Sequence, residues 1–119
     1  EYMALYAANN ICRGLVSFSS RGGARLGGII GNGRGLPDEE QTIAAFARGV
    51  GAEMVAFVPR SSLVQEGERA GQTVVEYAPE SSQAQVYREL ARILAEGQGG
   101  VVPRPLTPSE LEEIVRRTQ

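Results

Sequence analysis

Two apolar stretches that each stop in a polar turn constrain this chain more than anything else in it: Arg25-Leu-Gly-Gly-Ile-Ile-Gly-Asn-Gly-Arg34 and Val55-Ala-Phe-Val-Pro-Arg60. Short apolar runs bounded by glycine or proline, with a helical pattern between them, read as buried strands of a parallel sheet. Loops leaving the carboxyl ends of parallel strands gather along one edge, so Asn32, Pro59 and Arg60 are expected to line one crevice there.

Helical patterns fill the rest. Ala8, Ile11, Cys12 and Leu15 are spaced as one inward helix face, predicting a helix from the start of the chain to about Phe18. Strands are expected over Leu26 to Gly31 and Met54 to Val58, the second ended by Pro59. Between them, Pro37-Asp-Glu-Glu40 supplies acid to a helix amino terminus, Ile43, Phe46, Ala47 and Val50 form its buried stripe, and Gly51 stops it. Ser62 and Gln65 have capping-box spacing for a short helix. Thr73-Val-Val-Glu-Tyr77 is β-prone and reads as a strand or an extended segment. Ser81 to Gly97 reads as a helix with Val86, Leu90, Ile93 and Leu94 inward, ended by Gly97-Gln-Gly-Gly100. Thr107-Pro-Ser-Glu110 joins an N-cap, an N1 proline and an N3 glutamate, and Arg116 and Arg117 suit that helix's far end. The fold class is therefore α/β, an open, mostly parallel sheet flanked by helices.

Composition narrows the chemistry. At 119 residues the chain is one domain or less. Glu1 moves directly into helical periodicity, so the chain is expected to be a piece of a longer polypeptide. Its net charge of −2, with the charges interspersed, offers no field for nucleic acid and no polybasic membrane patch. All 12 positive residues are arginine, and lysine, histidine and tryptophan are absent. A phosphate loop of the G-x-x-x-x-G-K-S/T type needs its lysine, so the glycine-rich stretch from Gly27 to Gly35 is not one. Histidine-dependent triads and histidine–metal sites are excluded in the same way. A single cysteine, Cys12, forms neither an internal disulfide nor a four-thiolate cluster. No apolar run spans a bilayer and no signal peptide opens the chain, which points to a cytoplasmic protein.

The chain resembles the nitrogenase iron protein family in Glu1-Tyr-Met-Ala-Leu-Tyr-Ala-Ala-Asn-Asn-Ile11, Arg25 to Asn32, Phe57-Val-Pro-Arg60, Thr73-Val-Val-Glu-Tyr77, Gln83 with Tyr87, and Val102-Pro-Arg-Pro-Leu-Thr107. The segments stay in register along nearly the whole chain and correspond to the carboxyl-terminal portion of that family. The resemblance implies a partial P-loop NTPase-like fold, residues 1–119 being the carboxyl-terminal portion of a single iron-protein-like ATPase domain. It further implies Mg-ATP and Mg-ADP as ligands, a homodimer bridging one 4Fe-4S cluster, and electron delivery to a larger catalytic component. The phosphate loop, switch segments and cluster cysteines belong to the family's amino-terminal part. No catalytic residue or metal ligand is expected here, and this portion alone is expected to be inactive.

The candidate contacts have a local reading beside the implied one. Asn32 offers an amide donor and acceptor in one plane, complementary to an adenine edge, or simply takes a left-handed turn before Gly33. The resemblance makes it the adenine-contacting asparagine. Val58, Pro59 and Arg60 either end a strand or, as the family segment implies, pack against the purine, the guanidinium stacking on the ring. Ser61 stands where the family usually has aspartate and suits a helix cap. Gln65 and Glu68 lie one turn apart, as cap member and surface charge or as nucleotide-side groups. Gln83 and Tyr87, four residues apart, also lie about one turn apart on the next helix, Tyr87 offering a flat ring and a hydroxyl. Cys12 reads as packing. Departures at Gly31, Ser61 and 69–71 leave open related reductases that serve nitrogenases with other metals, tetrapyrrole synthesis or methylthio-alkane reduction. A non-redox P-loop partitioning or regulatory relative is the reading from a different class.

Overall fold

The computed structural model describes residues 2–97 and 99–118. Among them, the elements run α1 (Tyr2–Gly22), β1 (Ile29–Asn32), α2 (Glu39–Gly49), β2 (Met54–Val58), α3 (Ser62–Arg69), α4 (Val74–Tyr77), α5 (Ser82–Ala95) and α6 (Pro108–Thr118). The two strands pair in parallel, as the order of elements implied. Ile29 lies opposite Met54, Ile30 opposite Ala56, Gly31 opposite Phe57 and Asn32 opposite Val58, with a bulge between Ile29 and Ile30. Gly31 is needed for that pairing. A Cβ there would lie 2.8 Å from Phe57 Cδ1 and 3.2 Å from Ile43 Cδ1, so the ring fills the space a side chain would take.

α2 is the crossover between the strands and packs on both of them as well as on α6, while α5 lies against β2. The core gathers around α2, where Phe46 and Val50 meet Leu5 and Cys12 of α1, Leu106, and Leu111 of α6. Burial of side chains of this size supplies about 1.5–3 kcal/mol each. Asn9 sits among them at 2% exposure, its amide bonded to the backbone of Leu106. The described residues form a slab of 43 × 35 × 19 Å.

Several expectations hold to the residue, including β2 and the Thr107/Glu110 capping box, and of the α2 stripe Phe46, Ala47 and Val50 are buried while Ile43 is half-buried. Others need correction. The buried face of α1 is Leu5, Asn9 and Cys12, and Ile11 is 65% exposed, because the stripe admits Asn9 once its amide has a backbone partner. The Leu26 to Gly31 strand is split: Leu26 makes an antiparallel bridge with Val101, and β1 begins only at Ile29. The cap of α3 is Ser61, whose Oγ accepts from Leu63 N (3.2 Å), rather than Ser62. Residues 73–77 form a turn of helix, because Thr73 and Glu76 close a capping box that outweighs the β-propensity of the valines. Leu94 is 59% exposed on the last turn of α5, away from the core. The expected stop at 97–100 includes Gln98, which lies outside the described residues, as does Glu1.

Candidate functional site

β1 ends at Asn32 and β2 at Val58, directly opposite in the ladder. One step further, Gly33 N–H donates to the Val58 carbonyl (2.7 Å). Parallel pairing delivers both carboxyl ends to one edge, so the two outgoing loops face each other. Between them lies a crevice of about 340 Å³ lined by Asn32, Val58, Pro59, Arg60, Gln65, Gln83 and Tyr87. Seven of the eight residues singled out from the sequence thus share one wall system. Glu68 does not. It borders an adjoining groove, which shares Val64 and Tyr87 with the crevice.

Local chemistry sets each position. Pro59 ends β2 because it has no N–H for the ladder. Gln83 is 5% exposed, and its Nε2 donates to the Pro59 carbonyl (3.0 Å), clamping α5 to the tip of β2. Tyr87 follows one turn later on the same helix face. Ser61 caps α3 and so directs the first turn, carrying Val64 and Gln65, into the crevice. Asn32 is exposed, and its amide makes no hydrogen bond among the described residues. An open amide, an apolar valine–proline wall, a guanidinium and a phenol ring together suit a flat heteroaromatic group with a hydrogen-bonding edge. A larger groove between Ile30, Val55 and the last turns of α5 lacks such convergence, its Arg92 and Glu96 being paired with each other at 2.8 Å.

The loop after β1 is braced from α2. Arg34 N–H donates to both carboxylate oxygens of Glu39 (2.9 and 3.1 Å) and Gly35 N–H to Oε2 (3.1 Å). Glu39 is 8% exposed, whereas its neighbour Glu40 faces solvent.

Comparison with known proteins settles the family. The model for 4Fe-4S iron sulfur cluster binding proteins of the NifH/frxC family matches residues 1–119. The chain belongs to the NifH/frxC family. It is 47% identical over 115 residues to nitrogenase iron protein 1 of Methanothermobacter thermautotrophicus and 48% identical over 115 residues to nitrogenase iron protein 2 of Rhodobacter capsulatus. Each match takes in 97% of this chain and 42% of the relative, so the chain spans less than half the length of these NifH/frxC proteins.

NifH/frxC membership raises the question of a cluster, which needs several thiolates. Cys12 is 1% exposed on the core face of α1, and burial pushes its thiol up. Among the described residues no group of three or more histidine, cysteine, aspartate or glutamate side chains is placed to hold a metal ion. The residues present do not fit a 4Fe-4S site. No helix among them is long and apolar enough to cross a membrane.

Sequence reasoning left out Gly33, Arg34, Ser61 and Val64 as crevice lining, and Glu39 as the brace. Arg34 was within reach of the strand-tip logic that selected Asn32. By its spacing Glu39 is only an acid at a helix start, and nothing there reveals that it folds back onto the preceding loop.

Proposed function

We propose that the strand-tip crevice grips the adenine base of Mg-ATP and Mg-ADP. Residues 1–119 are then the carboxyl-terminal portion of an ATP-dependent electron-transfer reductase resembling the nitrogenase iron protein. Asn32 presents its amide to the donor–acceptor edge of the base. Val58 and Pro59 form the apolar wall, Arg60 stacks on the ring, and Gln65, Gln83 and Tyr87 close the remaining sides. Glu68 serves the nucleotide from the adjoining groove. In the whole protein, a homodimer couples Mg-ATP hydrolysis to electron delivery into a larger catalytic component. Bound nucleotide supplies the differential affinity that biases one dimer state over another. Triphosphate and cluster are handled by polypeptide outside this chain, which carries no phosphate-loop lysine and one buried cysteine. These residues alone are expected not to hydrolyse ATP.

The observation that carries this reading is the meeting of Asn32 and Pro59 on one crevice, supported by the nitrogenase iron proteins among the relatives. The test is titration of the complete gene product with Mg-ADP, before and after Asn32→Ala. Loss of the amide should weaken binding about tenfold, equivalent to about 1.4 kcal/mol. An unchanged affinity removes Asn32 from the site.

A further inference from the structure

We infer that Glu39 is the positioning residue of the adenine crevice, acting through the backbone of the loop that follows Asn32. The inference rests on the adenine reading above. A glutamate in the first turn of a helix ordinarily does no more than favour the dipole from solvent. Glu40 does that here, being exposed. Glu39 is instead 8% exposed and accepts from two successive backbone N–H groups, those of Arg34 and Gly35, at 2.9–3.1 Å. Both carboxylate oxygens accept, Oε2 from both N–H groups and Oε1 from that of Arg34, and a glutamine in the same pose would set its NH2 against the Arg34 N–H.

Gly33 completes the arrangement. A Cβ at that position would lie 2.9 Å from Glu39 Oε2 and 2.8 Å from Phe57 Cζ. A side chain there would push the Glu39 carboxylate or the Phe57 ring aside. Asn32 is held from one side by the ladder to Val58 and from the other by the clasp on the residues after it. That fixes the backbone position from which its amide reaches the crevice. Placement matters because the edges of adenine and guanine reverse donor and acceptor, so the two bases differ in what they ask of an amide anchored at that point.

The experiment measures Mg-ADP and Mg-GDP affinities of the full-length protein and of Glu39→Gln, Glu40→Gln and Asn32→Ala. Glu39→Gln should weaken Mg-ADP about tenfold and lower the preference for ADP over GDP, while Glu40→Gln leaves both unchanged. A merely structural Glu39 would lower the melting temperature and leave the ADP/GDP ratio intact, which overturns the inference. So does an equal loss in Glu40→Gln, or a silent Glu39→Gln beside an impaired Asn32→Ala. Silence of both Asn32→Ala and Glu39→Gln overturns the adenine reading together with it. Should Glu39→Gln fail to fold, Gly33→Ala probes the same clasp from the loop side. It should reproduce the loss of affinity and selectivity, and wild-type values in it overturn the inference.

Discussion

Asn9 and Leu106 exchange two buried hydrogen bonds across 97 residues of sequence: Asn9 Nδ2 donates to the Leu106 carbonyl and Leu106 N–H donates to Asn9 Oδ1, both at 2.8 Å. The pair ties α1 to the segment entering α6. Arg13 Nη2 also reaches the Leu106 carbonyl (3.3 Å), so Asn9→Ala chiefly strands the Leu106 N–H. A buried donor without an acceptor costs about 1–3 kcal/mol. Urea unfolding of the whole protein should show that loss, and a change within about 0.5 kcal/mol, the range of ordinary surface substitutions, would contradict it.

Gly100 permits the contact between Leu26 and Val101. Their backbones exchange hydrogen bonds of 2.8 and 2.9 Å, and a Cβ on Gly100 would press into the Leu26 carbonyl and lie 2.9 Å from Gly27 N. Backbone cannot rotate away as a side chain can. Gly100→Ala should therefore cost about 1–3 kcal/mol and raise amide exchange at Leu26 and Val101. Protection of both amides at wild-type levels would count against this account.

Gln83 offers a test of wall rigidity distinct from base recognition. Replacing it by methionine preserves approximate volume and removes the bond to the Pro59 carbonyl. Under the adenine reading, Mg-ADP affinity should fall several-fold while urea stability changes less than in Asn9→Ala. The opposite ranking would make Gln83 a packing residue.

The α6 amino terminus carries a pH signature. The backbone N–H of Thr107, and then Arg104, hold the Glu110 carboxyl below the usual range. Because the folded state favours the ionised form, this contribution is present above the unfolded-chain value. It fades as pH falls through the lower folded one, in the region below roughly pH 4.3. Thermal unfolding between neutral and acidic pH should show a steeper acid-side loss in wild type than in Glu110→Gln. Parallel curves would remove Glu110 from the acid response.

What was legible in the sequence is what local chemistry decides. Met54–Val58 stands out as a strand because its apolar run stops at a proline, and the start of α6 because Thr107, Pro108 and Glu110 each meet a specific backbone need. The crevice is legible to the extent that parallel strand tips must share an edge, which brings Asn32, Pro59 and Arg60 together. Ile11 stands outside and Asn9 inside because hydrophobicity alone cannot anticipate an amide that finds a backbone partner 97 residues away. Residues 73–77 depart from the β-prone reading because a capping box of two side chains outweighs valine's preference for strands. Glu68 separates from Gln65 because sharing a helix face does not decide which groove a side chain borders.

Among the described residues, β1 and β2 each pair along one side only. Each outer flank presents a row of open main-chain donors and acceptors, and Ile30 beside it is 45% exposed. Such borders recruit any extended peptide of matching length, including copies of themselves. Prepared apart from other strands, residues 29–32 and 54–58 would make this stretch adhesive, and its solubility would depend on what is fused or folded alongside it.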